Sequence, residues 1–415
     1  MTHYEEYYLV KIAMGKPRIL ILIHYLEIGG AEISLIGLLN AIDKNKYDVD
    51  LFVYSHQGEL MQLIPDGVNL LPEIPKYSTL ERPMKDVLRE GHIDIVAARL
   101  LAKIRHRIYQ RTHAITGEDA SIFQYVANCT TPFLPKINDK EYDLAISFLM
   151  PHNIGLRKVK AKKRIAWIHT DYSIVHINKE LEFPIWVRYD YIGSISDATT
   201  TSYLSIFPEL ANKIVKIENI LSPDFVRYRA HDDNIEDDIT TSKNKGNISL
   251  LTIGRFCYQK NYDNLPFICK HLVEMGANVR WYIIGFGGDE PLIREKIAAA
   301  GMGDHVIILG KRSNPYPYIK ACDIYVQPSR YEGKSVTVRE AQMLCKPVVV
   351  TNYPTASSQI ENGVDGVIVP MDNRACAEGI KALIDNKKLQ ERIVAHLLSH
   401  DYGNETEVEK IYKLI

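Results

Sequence analysis

Short runs of β-branched and apolar residues alternate along the first half of this chain with longer stretches in which apolar residues recur at helical spacing. The runs at 18–24, 48–54, 69–71, 143–148, 164–169 and 191–194 read as strands, and the periodic stretches at 31–42, 93–111 and 198–206 read as helices. Strand, helix and strand in turn is the pattern of βαβ units closing on a parallel sheet.

The pattern breaks at 229–247, RAHDDNIEDDITTSKNKGN, a polar stretch with little to bury that reads as a linker. It then resumes, with strands expected at 248–253, 279–284, 306–309, 324–327, 348–351 and 367–369 and helices between them. From 375 to 415 the pattern is helical, with Pro370 ahead of it and no strand signal inside. The expected organisation is therefore a first doubly wound α/β domain at 1–228, a linker at 229–247, a second at 248–390, and helices at 391–415 that pack back on the first domain. In open α/β sheets ligands bind beyond the carboxyl ends of the strands, so the site is expected where the two sheets turn those ends toward one cleft.

Composition narrows the class. With 415 residues, 46% hydrophobic and 24% charged, and 50 Lys+Arg against 51 Asp+Glu, this is an ordinary globular composition with no bulk attraction to nucleic acid. Cys129, Cys257, Cys269, Cys322, Cys345 and Cys376 form no CxxC pair, which disfavours structural zinc and a disulfide framework. The first apolar run, 19–28, is about half the roughly 20 residues a spanning helix needs, so a cytoplasmic protein is expected.

Several motifs carry candidate chemistry. Gly29-Gly30 stands between the first strand and its helix, where bare backbone can approach a ligand; a tight turn explains the pair equally well. Gly285-Phe286-Gly287-Gly288-Asp289-Glu290 lacks the last glycine of a dinucleotide fingerprint, and its acidic helix start would repel pyrophosphate, so a structural turn is preferred. Gly254-Arg255 ends the first strand of the second half, and Lys260-Asn261 follow at a helix start. Two cations in that position suit a diphosphate. Glu332 and Glu340 stand eight residues apart, the first in a loop and the second inside a helix. Ser335 is placed to cap that helix, leaving the N–H groups of Val336, Thr337 and Val338 for an anion.

Taken in order, Gly29-Gly30, Gly254-Arg255 with Lys260-Asn261, Glu332-x7-Glu340, Lys346-Pro-Val-Val-Val350 and Glu361-Asn-Gly-Val-Asp-Gly366 resemble the retaining glycosyltransferases of family 4, glycosyl transferases group 1. That family has the GT-B fold, two Rossmann-like doubly wound α/β domains facing across a cleft. The resemblance implies that Arg255 and Lys260 hold the donor diphosphate, that Glu332 contacts the donor sugar and that Glu340 contacts the nucleotide ribose. Gly333, Lys334, Ser335 and Val336 fall in the same donor loop, and Lys311 and Arg312 lie where the base meets backbone. Lys334 departs from the aromatic or small residue usual there; it is either a third positive charge on the donor or a solvated lysine. His169, in Trp167-Ile168-His169-Thr170-Asp171, matches a histidine that approaches the donor sugar, although a lone His at a strand end is often structural, and Asp171 is a weaker candidate.

The implied activity is transfer of a sugar from a nucleotide-sugar donor to a glycan or lipid-linked acceptor, with retention, in bacterial cell-surface polysaccharide synthesis. No cofactor and no metal are expected, with Arg255, Lys260 and the Ser335 helix start in a metal's role. Asp48-Val49-Asp50 reads as a strand edge rather than a metal motif. A nucleotide-sugar epimerase of related architecture and a non-catalytic nucleotide- or glycan-binding protein are the alternatives. Finally, 99–111 carries Arg99, Lys103, Arg105, Arg107 and Arg111 beside an apolar stripe of Leu100, Leu101, Ile104 and Ile108. A core-packed amphipathic helix is the preferred reading, and an interfacial helix at the inner face of the cell membrane is the other.

Overall fold

The computed structural model describes residues 15–115, 118–173, 175–231, 239 and 246–415. The chain divides into two compact units, Met1–Ile220 with Glu405–Ile415, and Leu221–Asn404.

In the first unit the strands are β1 (Arg18–Ile23), β2 (Asp48–Val53), β3 (Val68–Leu70), β4 (Glu118–Asp119), β5 (Glu141–Ser147), β6 (Lys160–Ile168), β7 (Val175–His176), β8 (Tyr191–Ser194) and β9 (Ile214–Lys216). Seven of them form one sheet in the order β3-β2-β1-β5-β6-β8-β9, and β4 pairs with β7 apart from it. Every pairing is parallel. Parallel strands covered on both faces read as unbroken apolar runs, and every residue of β1 after Arg18 is buried.

The second unit holds β10 (Ile248–Ile253), β11 (Val279–Ile284), β12 (Val306–Gly310), β13 (Ile324–Gln327), β14 (Val348–Thr351) and β15 (Val367–Val369), all parallel, in the order β12-β11-β10-β13-β14-β15. Counted within the unit this is the 3-2-1-4-5-6 order of a dinucleotide-type sheet. The order reverses between β10 and β13, and in the first unit between β1 and β5. At such a reversal the crossover helices leave on opposite faces, and a crevice opens at the strand ends.

The division falls earlier than 228. Helix Pro223–Arg229 lies in the second unit: Phe225 meets Tyr316 edge-on at 6.2 Å, and Asn314 Nδ2 donates to the Arg229 carbonyl at 2.8 Å. Most of the linker read at 229–247, residues 232–238 and 240–245, lies outside the described residues. The C-terminal helices also divide. Helix Lys387–Ser399 sinks Ile393 and Leu397 into the second unit's core, whereas Val408–Tyr412 joins the first. There the Asp43 N–H donates to Tyr412 Oη at 2.8 Å, Tyr412 stacks on Tyr47 at 4.3 Å, and Lys410 Nζ reaches the Lys216 carbonyl at 3.0 Å.

The basic stretch forms helix Ile93–Thr112, but its core face is Ile95, Ala98, Ala102 and His106. The stripe Leu100, Leu101, Ile104 and Ile108 is exposed instead, which overturns the core-packed reading. No helix among the described residues is long and apolar enough to cross a membrane.

Candidate active site

The second unit gathers most of the candidate residues at its switch point. Behind β10 the chain makes a single turn, Tyr258–Lys260, ended by Asn261 in the left-handed conformation at φ 62°. Asparagine tolerates that conformation because its short side chain bonds locally, and here Nδ2 donates to the Pro328 carbonyl at 2.9 Å. The turn behind β10 is thereby pinned to the segment behind β13. At Gly254 a Cβ would lie 2.6 Å from the Tyr262 hydroxyl and 3.1 Å from Lys260 Cε, so the missing side chain lets the lysine stem cross the strand end.

Lys260 Nζ meets Glu332 Oε1 at 2.6 Å, with the two side chains 16% and 6% exposed. The same oxygen accepts from Ser329 Oγ at 2.6 Å and Gln327 Nε2 at 3.2 Å, while Gln259 Nε2 reaches Oε2 at 3.3 Å. The Glu332 carbonyl accepts from Thr355 Oγ1 at 2.6 Å. So many donors hold the carboxylate in one orientation. Arg255, five residues before Lys260, is exposed and has no ion pair or hydrogen bond among the described residues.

Helix Val336–Met343 begins at Ser335, yet no side chain caps it. The Ser335 hydroxyl sits 3.1 Å from Thr337 Oγ1, and its backbone N–H and C=O are taken by the Gln359 amide at 3.0 and 2.7 Å. The first turn therefore keeps its partial positive charge without a side-chain acceptor. Gly333 and Lys334, both half-buried, connect Glu332 to this start.

Glu340 lies inside the same helix and is fully buried. Its Oε1 accepts from Tyr316 Oη at 2.8 Å, and its Oε2 has no partner. Burial pushes the carboxyl up to about 7, against the lowering effect of the Tyr316 bond. At the end of β12 the Lys311 ammonium sits 5.0 Å from the centre of the Phe286 ring, and Arg312 Nε bonds Tyr318 Oη at 3.1 Å. Gly285 and Gly287, at φ 157° and 155°, pass so close to Gly254 and Phe256 that any Cβ would strike backbone. That glycine cluster joins neighbouring strand ends, as the structural reading had it.

The remaining candidates belong to the other unit. Gly29, extended at φ −158°, is the N-cap of helix Gly30–Ala41 with no capping side chain; a Cβ on it would strike the Glu32 carboxylate, while Gly30 has open space. His169 follows β6 directly, its ring 4.6 Å from Phe148 and 6.1 Å from Trp167. Its Nε2 is buried without a partner, and burial pushes its pKa down to about 3, leaving a neutral ring. Asp171 is engaged locally, accepting from the Ser173 N–H at 2.9 Å and hydroxyl at 2.6 Å. Asp50, inside β2, is spent on Asn69, Tyr142 and Lys140 at 2.7, 2.7 and 2.9 Å, so it ties β2 to β3 and to the start of β5.

Sequence reading missed Gln259, Gln327, Ser329 and Tyr316. The one signal available was Gln327-Pro328-Ser329, polar residues breaking off an apolar strand.

Comparison with known proteins bears on these geometries. Residues 233–396 match the family Glycosyl transferases group 1. That segment carries Arg255, Lys260, Glu332 and Glu340. The chain is 27% identical over 147 residues to an alpha-D-kanosaminyltransferase of Streptomyces kanamyceticus, covering 35% of this chain and 38% of that protein. It is 32% identical over 143 residues to the capsular polysaccharide biosynthesis glycosyltransferase CapM of Staphylococcus aureus, covering 34% and 38%. The match thus spans under two-fifths of these relatives' length. Across nearly its whole length the chain shares its fold with Anabaena Alr3699/HepE in complex with UDP-glucose, at a TM-score of 0.62, 16% identity, and 96% and 99% coverage. The fold is that of GT-B glycosyltransferases, two parallel-sheet Rossmann-like units.

Proposed function

We propose that this protein moves a sugar from a nucleotide-sugar donor to a glycan or lipid-linked acceptor, with retention of configuration and without a metal. The observation that carries the reading is the Lys260–Glu332 contact of 2.6 Å at the ends of the two strands flanking the switch point. A cation, a fixed carboxylate, an uncapped helix start and the unpaired Arg255 are what a sugar diphosphate requires: positive groups for the phosphates and an acceptor for sugar hydroxyls. The group 1 family match over this segment supports it, as does the fold shared with a protein that binds UDP-glucose. CapM, by its name a capsular polysaccharide enzyme, supports a glycan product.

In this reading the bond from the anomeric carbon to the diphosphate oxygen breaks as negative charge grows on the leaving group. Arg255, Lys260 and the N–H groups of Val336 and Thr337 stabilise that charge. Glu332 orients the sugar. Glu340, with one oxygen bare beneath Tyr316, receives a ribose hydroxyl, and the Lys311–Arg312 backbone meets the base. The unpartnered Nε2 of the neutral His169 serves a sugar hydroxyl. The acceptor hydroxyl attacks on the leaving-group face and passes its proton to the departing phosphate oxygen, which needs no protein nucleophile.

Incubation with radiolabelled nucleotide sugars is expected to release nucleoside diphosphate at a rate indifferent to a chelator. Glu332→Ala and Arg255→Ala are expected to lower that rate on the order of 10²-fold or more. Normal turnover by both variants overturns the site, and loss of turnover to the chelator overturns the metal-free step.

A further inference from the structure

Helix Ile93–Thr112 is built the wrong way round for a surface helix of a globular protein. Its inward face is thin, made of Ile95, Ala98, Ala102 and His106, and its outward face carries the large apolar side chains. Ile93, Leu100, Leu101, Ile104 and Ile108 are 67%, 47%, 44%, 58% and 56% exposed. At about 100° per residue, Ile93, Leu100, Ile104 and Ile108 fall in one narrow stripe roughly opposite Ile95 and Ala102. Large apolar side chains exposed together on one face and rimmed by polar residues mark an interaction surface.

Charge says what covers it. Lys103 and Arg107 fall along one margin of the stripe, Arg105 along the other and Arg111 at its end. All four are exposed and have no ion-pair partner among the described residues. The helix has no acid after Asp94. Arg99 stands apart, donating inward to the carbonyls of Thr79 at 2.9 Å and Arg82 at 2.5 Å. An apolar stripe edged by unpaired cations matches the boundary of a bilayer, with acyl chains for the isoleucines and leucines and acidic headgroups for the arginines and lysine. A second copy laid on the same face would press like charges together, and nucleic acid would leave the stripe uncovered.

We infer that the outer face of helix Ile93–Thr112 seats this protein on a membrane surface rich in acidic lipid. Binding through this face is independent of the transfer reading, because vesicle flotation is indifferent to turnover. The full-length chain is expected to float with phosphatidylcholine vesicles containing phosphatidylglycerol, to stay behind with pure phosphatidylcholine, and to be released by salt. The double variant Arg105→Gln/Arg107→Gln is expected to lower the partition coefficient on the order of 30-fold. Ile104→Ser/Ile108→Ser is expected to abolish flotation with the melting temperature unchanged, since both side chains are exposed. The inference is overturned if wild type fails to float, if either double variant floats as wild type does, or if sedimentation shows a dimer that Ile104→Ser dissolves.

Discussion

Two buried carboxyls set the behaviour of individual residues. Glu340 keeps one bare oxygen, while Glu182 accepts from Trp186 Nε1 at 3.0 Å, Tyr172 Oη at 3.3 Å and the Gln124 amide. Burial raises both to about 7. A carboxyl raised in the folded state binds its proton more tightly there than in the unfolded chain. Its contribution is therefore full below the unfolded value near 4.5 and is lost as pH rises through 7. Glu340→Gln is thus expected to gain stability with rising pH, by on the order of 3 kcal/mol at about pH 8 and almost nothing at about pH 4. Urea unfolding at the two pH values checks this, and equal effects at both would show that the carboxyl is not protonated in the fold.

At the scale of elements, the turn that carries Lys260 is held from one side by a single guanidinium. Arg330 grips Asp263 through both nitrogens at 2.9 and 2.7 Å, donates to the Tyr258 carbonyl at 2.5 Å and lies 4.0 Å from the centre of the Tyr258 ring. Lysine matches neither the fork nor the stacking. Arg330→Lys is expected to cost about 1–3 kcal/mol of stability and to raise the donor KM more than it lowers kcat, because Lys260 would lose its fixed place rather than its charge. Steady-state kinetics beside a thermal melt checks that split. The strands were legible because a buried parallel strand is an uninterrupted apolar run, as at 19–23 and 348–350. β9, Ile214–Lys216, escaped, as did the two-residue strands β4 and β7, because so few apolar residues, two at most, do not stand out as a run. Lys260 and Glu332 stood out as charges at strand ends, but Gln327, Ser329 and Tyr316 did not. Uncharged polar residues near a strand end look alike until the fold brings in a partner such as Gln259 from more than sixty positions away. The outward stripe of Leu100 to Ile108 was misread because spacing reveals an apolar face without saying which way it turns.

For the whole molecule, the division of the chain matters most. The second unit is an insertion within the first, and its two ends meet: the Leu221 N–H donates to Asn404 Oδ1 at 2.9 Å, and Gly403 runs so close to Pro223 that a Cβ would stand 2.7 Å from its ring. Residues 221–404 expressed alone are expected to melt cooperatively, whereas removing 405–415 is expected to lower the stability of the first unit by about 2–4 kcal/mol, since Ile411 is buried and Tyr412 is both stacked and hydrogen-bonded. Calorimetry of the fragment and of the truncated chain checks both, and a melt unchanged by the truncation would show that the segment only decorates the surface. During synthesis the same arrangement reverses the usual sequence of events. The lobe begun first on the ribosome waits for its closing helix until every residue of the lobe begun second has been made.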